Sequence, residues 1–141
     1  MRLLALARHG TLCFGADMDG YPYAVPMNCA LVDGAIVFHG AGVGEKYEAL
    51  KRSNKARLVC VLNYAPIKET FSAKYESVIV KGDVTEVEDR DEKIRLLSAF
   101  TQIVLESEMP IFADVIDKSI GKISIWKMSI DEVTGKRSPK A

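Results

Sequence analysis

Residues 34–50 read GAIVFHGAGVGEKYEAL. Ile36, Val37 and Phe38 lie at the centre of a five-residue run, 35–39, which predicts a short buried strand. Gly40, Gly42 and Gly44 follow, and a backbone of that kind bends sharply and lies close to a ligand. Glu45-Lys46-Tyr47-Glu48-Ala49-Leu50-Lys51-Arg52 then reads as a two-turn helix. A glycine loop that feeds a helix start presents unpaired backbone N–H groups, a natural seat for a phosphate, and Lys46 adds a positive charge. The plain alternative is a tight strand-to-helix connection with a solvated lysine. Neither standard nucleotide motif fits. Gly40-Ala41-Gly42-Val43-Gly44-Glu45 misses the G-x-G-x-x-G spacing by one residue, and Tyr47 stands where a Walker loop needs Ser or Thr.

Upstream of this stretch, residues 11–16 and 23–31 are strand candidates, and residues 3–8 end a helix before Gly10. Asp17-Met18-Asp19-Gly20-Tyr21-Pro22 carries hairpin-turn chemistry, and Asp33-Gly34 makes a second tight turn. Pro26 cannot donate to a sheet ladder, so it marks an edge or a bulge. Three strands joined by short turns form an antiparallel meander. That argues against a Rossmann unit, whose glycine loop follows a strand of a parallel sheet.

Downstream, residues 46–53 form the short helix and 56–62 (ARLVCVL) a fourth strand. Residues 63–73, with Pro66, read as a longer loop. A long strand spans 75–87, with Gly82 as a bend or bulge. A helix over 91–106 shows helical spacing of Ile94, Leu97, Phe100 or Thr101 and Val104. Pro110 interrupts, and 111–116 suggest one more helical turn. In the last strand, 120–130, Ile123, Ile125, Lys127 and Ser129 alternate against Ser124, Trp126, Met128 and Ile130. Residues 131–141 read as a polar, basic tail. Six antiparallel strands in one domain of residues 1–141 predict a mainly β fold with helices, a small barrel with helices at its ends.

Composition narrows the function. Nineteen basic and nineteen acidic side chains cancel, which argues against a general nucleic-acid binder. No apolar run approaches the roughly 18 residues of a membrane span, and no signal peptide is evident, so a cytoplasmic protein is expected. Cys13, Cys29 and Cys60 are odd in number, lack C-x-x-C spacing, and read as reduced, buried, small side chains. His9 and His39 share no metal-ligand spacing with them, and no metal site is expected.

The stretch from Gly10 to Val87 resembles the FMN-binding split β-barrels related to pyridoxamine 5'-phosphate oxidase, in the branch of nitroimidazole-resistance (Nim-type) proteins. The resemblance is carried by Asp19-Gly20-Tyr21-Pro22-Tyr23-Ala24-Val25-Pro26-Met27-Asn28, by Asp33 to Ala41, by Lys46 and Leu50, and by Tyr75 to Gly82. Glu132-Val133-Thr134-Gly135-Lys136 adds to it. It implies a six-stranded antiparallel split β-barrel that forms a homodimer with FMN at the subunit interface. It further implies a flavin wall from the strand around Ala24 to Cys29 (Val25, Pro26, Met27, Asn28, Cys29), and a phosphate hold from Phe38, His39, Gly40, Ala41 and Lys46. Ser77 falls at a flavin-contacting position of the oxidase relatives, and His39 at a histidine of the Nim-type branch. Glu45 stands where the oxidase relatives carry an arginine. The basic-aromatic set that holds pyridoxamine phosphate in true oxidases is not evident in residues 121–141, so vitamin B6 oxidation is not assigned.

Single residues have plainer readings beside these. His39 can be a strand-end structural histidine or a proton donor near the cofactor, with an ordinary pKa near 6.5. Trp126 can be core, or face the flavin or the dimer partner. Three functions follow. One is an FMN-dependent oxidoreductase that passes electrons from a reduced nicotinamide to a small acceptor. Another is a binding protein for FMN, haem or a deazaflavin without turnover, with His39 as a haem-ligand candidate. The last is a structural dimer without cofactor.

Overall fold

The computed structural model describes residues 1–16, 20–104, 116 and 118–139 of the 141-residue chain. The helical turn expected at 111–116 and the centre of the first hairpin turn, residues 17–19, lie outside the described residues, apart from Ile116. Helix α1 (Arg2–Leu6) precedes strands β1 (His9–Ala16), β2 (Pro22–Asn28), β3 (Ala30–Val32) and β4 (Ala35–Ala41). Helix α2 (Glu45–Arg52) leads to β5 (Lys55–Ile67) and β6 (Ser72–Glu86), then to helix α3 (Arg90–Val104), β7 (Ile123–Met128) and β8 (Glu132–Arg137). The strands run β2-β1-β5-β6-β7-β4-β3, with β8 also paired to β6, and every described pairing is antiparallel. This mostly antiparallel sheet curls into a split β-barrel with a few helices.

The split lies on β6. One edge of β6 pairs β5 almost throughout, while the other pairs β8 over Glu76 to Lys81 and β7 over Val84 to Glu86. Gly82 sits at the changeover. A Cβ there would fall on the Ser129 carbonyl oxygen, so the crossing of β7 into β8 requires glycine. The expected bulge is elsewhere on this hairpin, where the β5 register shifts between Leu62 and Ala65.

Two cores follow from strand alternation. Ile36 and Phe38 of β4 and Trp126 and Met128 of β7 point into the barrel, with Leu12, Leu58 and Val80. Val37 and Ile125 point the other way, onto Leu96, Leu97 and Phe100 of α3. Strands buried on both faces explain the unbroken apolar run at 36–38. Ile125 is 0% exposed, and full burial of such a side chain is worth about 1.5–3 kcal/mol. The Asp89 carboxylate caps α3 by accepting the Glu92 N–H at 2.9 Å. Arg95 of α3 reaches Asp33, in the β3–β4 turn, at 2.7 Å. No helix among the described residues is long and apolar enough to cross a membrane.

Among the described residues eight strands replace the six expected, because one strand divides and one is added, and two others are longer than expected. The run expected as one strand over 23–31 divides at Cys29: its N–H still donates to the Arg8 carbonyl at 2.9 Å, in register with β1, and from Ala30 onward the chain pairs β4 instead. The loop expected at 63–73 is mostly hairpin. β1 pairs β5 only as far as Val59, so the outer part of β5 has an open edge where the missing N–H of Pro66 costs nothing. The polar tail contains β8, which fills the edge of β6. Its side chains are mostly exposed, so its polarity reflects an outer position in the sheet.

Candidate cofactor site at the β4–α2 loop

β4 ends at Ala41 and α2 begins at Glu45. The joining loop turns at Gly44 (φ +111°), a backbone conformation that favours glycine. The Gly42 N–H donates to the Lys122 carbonyl at 3.2 Å, and the Gly44 carbonyl accepts the Glu48 N–H at 3.0 Å to begin the helix. α2 carries Glu45 and Glu48 in its first turn and Lys51 and Arg52 in its last, which matches its dipole. Ala49 and Leu50 anchor it to the barrel core.

Lys46 folds back over β4. Its ammonium lies 3.5 Å from the Met27 sulfur and 2.9 Å from where a Cβ on Gly40 would be, so glycine at position 40 makes room for it. Lys46 is half-buried, and among the described residues no carboxylate comes within ion-pair distance of it. A half-buried cation with no carboxylate partner among the described residues, beside a helix start, could hold an anion. Glu45 is exposed, clear of the core.

β7 forms the other wall. The Trp126 indole N–H donates to Ser124 Oγ at 3.0 Å, and that hydroxyl lies 3.0 Å from the Ala41 carbonyl and 3.2 Å from the Gly40 carbonyl. Tyr47 meets Trp126 edge-on at 5.7 Å between centroids, and its hydroxyl donates to the Glu86 carboxylate at 3.0 Å. The Lys51 ammonium lies 5.1 Å over the Tyr47 ring. Sequence reasoning missed Ser124, Tyr47 and Glu86. Ser124 was legible only as one residue of the face it shares with Trp126, because its partners lie more than 80 positions away.

Met27, Phe38, Gly40, Lys46 and Trp126 are thus on the barrel side. Ala41 closes β4 at the loop, and Val25 is half-buried against the same core. Other predicted residues stand apart. His39 alternates to the opposite face of β4, where it meets Phe100 edge-on at 4.9 Å. Burial, and secondarily Lys46, push its pKa below the ordinary histidine value, so the imidazole is neutral at neutral pH. Pro26 and Asn28 are exposed on β2, on the far side of the strand from Met27. Cys29 is in the core beside Cys60; that contact, then burial, raise its pKa and keep it a thiol. Cys60 is also buried, whereas Cys13 is only half-buried. Ser77 pairs Val61 and Lys136, nine residues along β6 from Glu86, or about 30 Å at strand spacing. Ser77 thus stands apart from the Tyr47–Glu86 contact on the same strand. A cavity of about 550 Å³ opens on the outer sheet face beside Cys13, Arg57 and Lys81. It touches none of the candidate residues. Among the described residues no cluster of His, Cys, Asp or Glu is arranged for a metal.

The family model for pyridoxamine 5'-phosphate oxidase matches residues 1–137. The chain belongs to the pyridoxamine 5'-phosphate oxidase family. Among solved structures, a candidate 5-nitroimidazole antibiotic resistance protein from Bacteroides thetaiotaomicron aligns with TM-score 0.71 at 24% identity, over 95% of this chain and 80% of that one. An FAD- and haem-binding protein from Mycobacterium smegmatis gives 0.79 at 21% identity, over 97% and 68%. The flavocytochrome Anf3 from Azotobacter vinelandii gives 0.77 at 21%, over 97% and 65%. At these identities the likeness is one of fold. A comparison with curated proteins finds no match.

Proposed function

We propose that this chain is an FMN-binding oxidoreductase that acts as a homodimer and passes electrons from a reduced nicotinamide to a small acceptor. The observation that carries the reading is Lys46, a half-buried ammonium with no carboxylate partner among the described residues, at the mouth of a glycine loop. The fit is to one phosphate group. A single inward-held ammonium and one helix start suit the phosphate of FMN, and Gly40 leaves the space that the ammonium needs. Lys46 would hold the phosphate, the loop N–H groups would orient it, and β2 would supply a wall for the ring. FMN, when bound, supplies the electron transfer, while the protein binds, orients and shields it. Neutral His39 would act as a packed support behind the phosphate loop. The family membership and the flavin- and haem-binding relatives favour this class of cofactor.

Dimerisation would place the cofactor between the Lys46 seat of one copy and the sheet of a second. Exposed apolar side chains on the β5–β6 hairpin support an interface: Val61 is 50% exposed, Tyr64 67% and Phe71 99%. Free cysteines suit a cytoplasmic setting.

The test is an absorbance titration with FMN, Lys46→Ala as control, followed by anaerobic addition of reduced nicotinamide. Bound-flavin bands near about 450 nm that are lost in Lys46→Ala, and bleached by the donor, are expected. Failure of the wild type to bind FMN would remove the reading. Sedimentation of wild type and Val61→Asp tests the dimer.

A further inference from the structure

We propose that Ser124 is the positioning residue of the glycine loop, joining the indole N–H of Trp126 to the carbonyl groups that end β4. The proposal rests on the Lys46 seat being the cofactor site. Ser124 is 2% exposed and Trp126 3%. The serine oxygen accepts from the indole at 3.0 Å, and its single O–H proton has two acceptors in reach, Ala41 at 3.0 Å and Gly40 at 3.2 Å. An indole N–H only donates and a carbonyl only accepts. The group between them must therefore do both, and among side chains of this size only a hydroxyl does so well.

The same indole also holds the far end of the loop. Its ring meets Tyr47 of α2, the residue after Lys46. Both ends of the loop, Gly40-Ala41 on one side and Tyr47 on the other, are tied to Trp126, the first through Ser124. Ser124 Oγ and Lys46 Nζ also approach the same point on Gly40, at 3.9 Å and 2.9 Å from a Cβ placed there. With its one proton shared between these carbonyls, the hydroxyl ties the end of β4 beside the ammonium, which is left for an anion.

Trp126 is the one tryptophan of the chain, so its emission reports on the clamp directly. In FMN-free protein, Ser124→Ala is expected to shift that emission and to speed hydrogen exchange of the Gly42 amide about tenfold, as the loop end loosens. FMN binding should weaken about tenfold, equivalent to one hydrogen bond, while riboflavin, which lacks the phosphate, changes little. Ser124→Thr, which keeps the hydroxyl, should restore both. If Ser124→Ala does not fold, Ser124→Cys, nearly isosteric with a weaker donor, carries the same comparison. A folded variant without the hydroxyl whose Gly42 exchange matches wild type would overturn the positioning role. Wild type that binds no FMN would instead overturn the function proposed above, and the exchange result would still decide the clamp.

Discussion

Replacing Gly40 by alanine puts one methyl group against the Lys46 ammonium and almost nothing else. The new Cβ would lie 2.9 Å from Nζ and 3.2 Å from Cε, so the lysine end must retreat by about 0.5 Å to reach ordinary contact at 3.4 Å. The atom met is the tip of a flexible chain, and the next neighbour, Ser124 Oγ, is already at 3.9 Å. The fold should therefore survive, with stability changed by no more than about 1 kcal/mol, since alanine also narrows the unfolded ensemble. Cofactor binding should suffer more. A hydrogen bond to a charged group is worth about 1.5–3 kcal/mol, so losing its geometry should weaken FMN binding roughly 10- to 150-fold. The assay is quenching of flavin fluorescence on titration with Gly40→Ala, paired with urea unfolding. Riboflavin titrated alongside should show no such loss, because it carries no phosphate. Wild-type FMN affinity in a well-folded Gly40→Ala protein would refute the argument, since Lys46 would then not hold the phosphate.

Other expectations concern single contacts. The folded pKa of His39 lies below its unfolded value near 6.5, so the unfolded chain takes up the proton first. Its contribution to stability is full above about pH 6.5 and is lost as pH falls through the folded value; in urea melts from pH 7.5 to 5, His39→Gln should flatten part of that decline. Gly82→Ala should cost about 4 kcal/mol or more, or prevent folding, because the methyl group meets backbone at Ser129; a melting temperature close to wild type would show that the β7–β8 crossing is not fixed there. Tyr47→Phe removes the hydroxyl that donates to Glu86 at 3.0 Å. Because the acceptor is a carboxylate, it should cost about 1.5–3 kcal/mol in chemical unfolding, and a variant as stable as wild type would show that the contact contributes nothing.

The antiparallel meander, the two-turn helix after the glycines, the alternation of β7 and the barrel class were legible in the chain, because each follows from local periodicity and turn chemistry. Asp33-Gly34 forms its tight turn with φ of 49° and 78°. Glu45–Arg52 forms a helix that matches its own charge order. Lys46 was visible as a cation after a glycine loop, because seat and charge are six residues apart. The sequence by itself did not determine where strands change partners. Nothing local at Cys29 says that β2 and β3 belong at opposite ends of the strand order, and nothing in EVTGKR says that β6 has an edge to fill. Nor did it determine faces at the site. His39 and Gly40 are neighbours in sequence, yet the pleat sends one toward α3 and leaves the other under Lys46. Only the packed sheet brought Ser124 to Gly40 and Ala41 across more than 80 residues, because hydrogen-bond partners between distant strands are set by register, and register is fixed by the core as a whole.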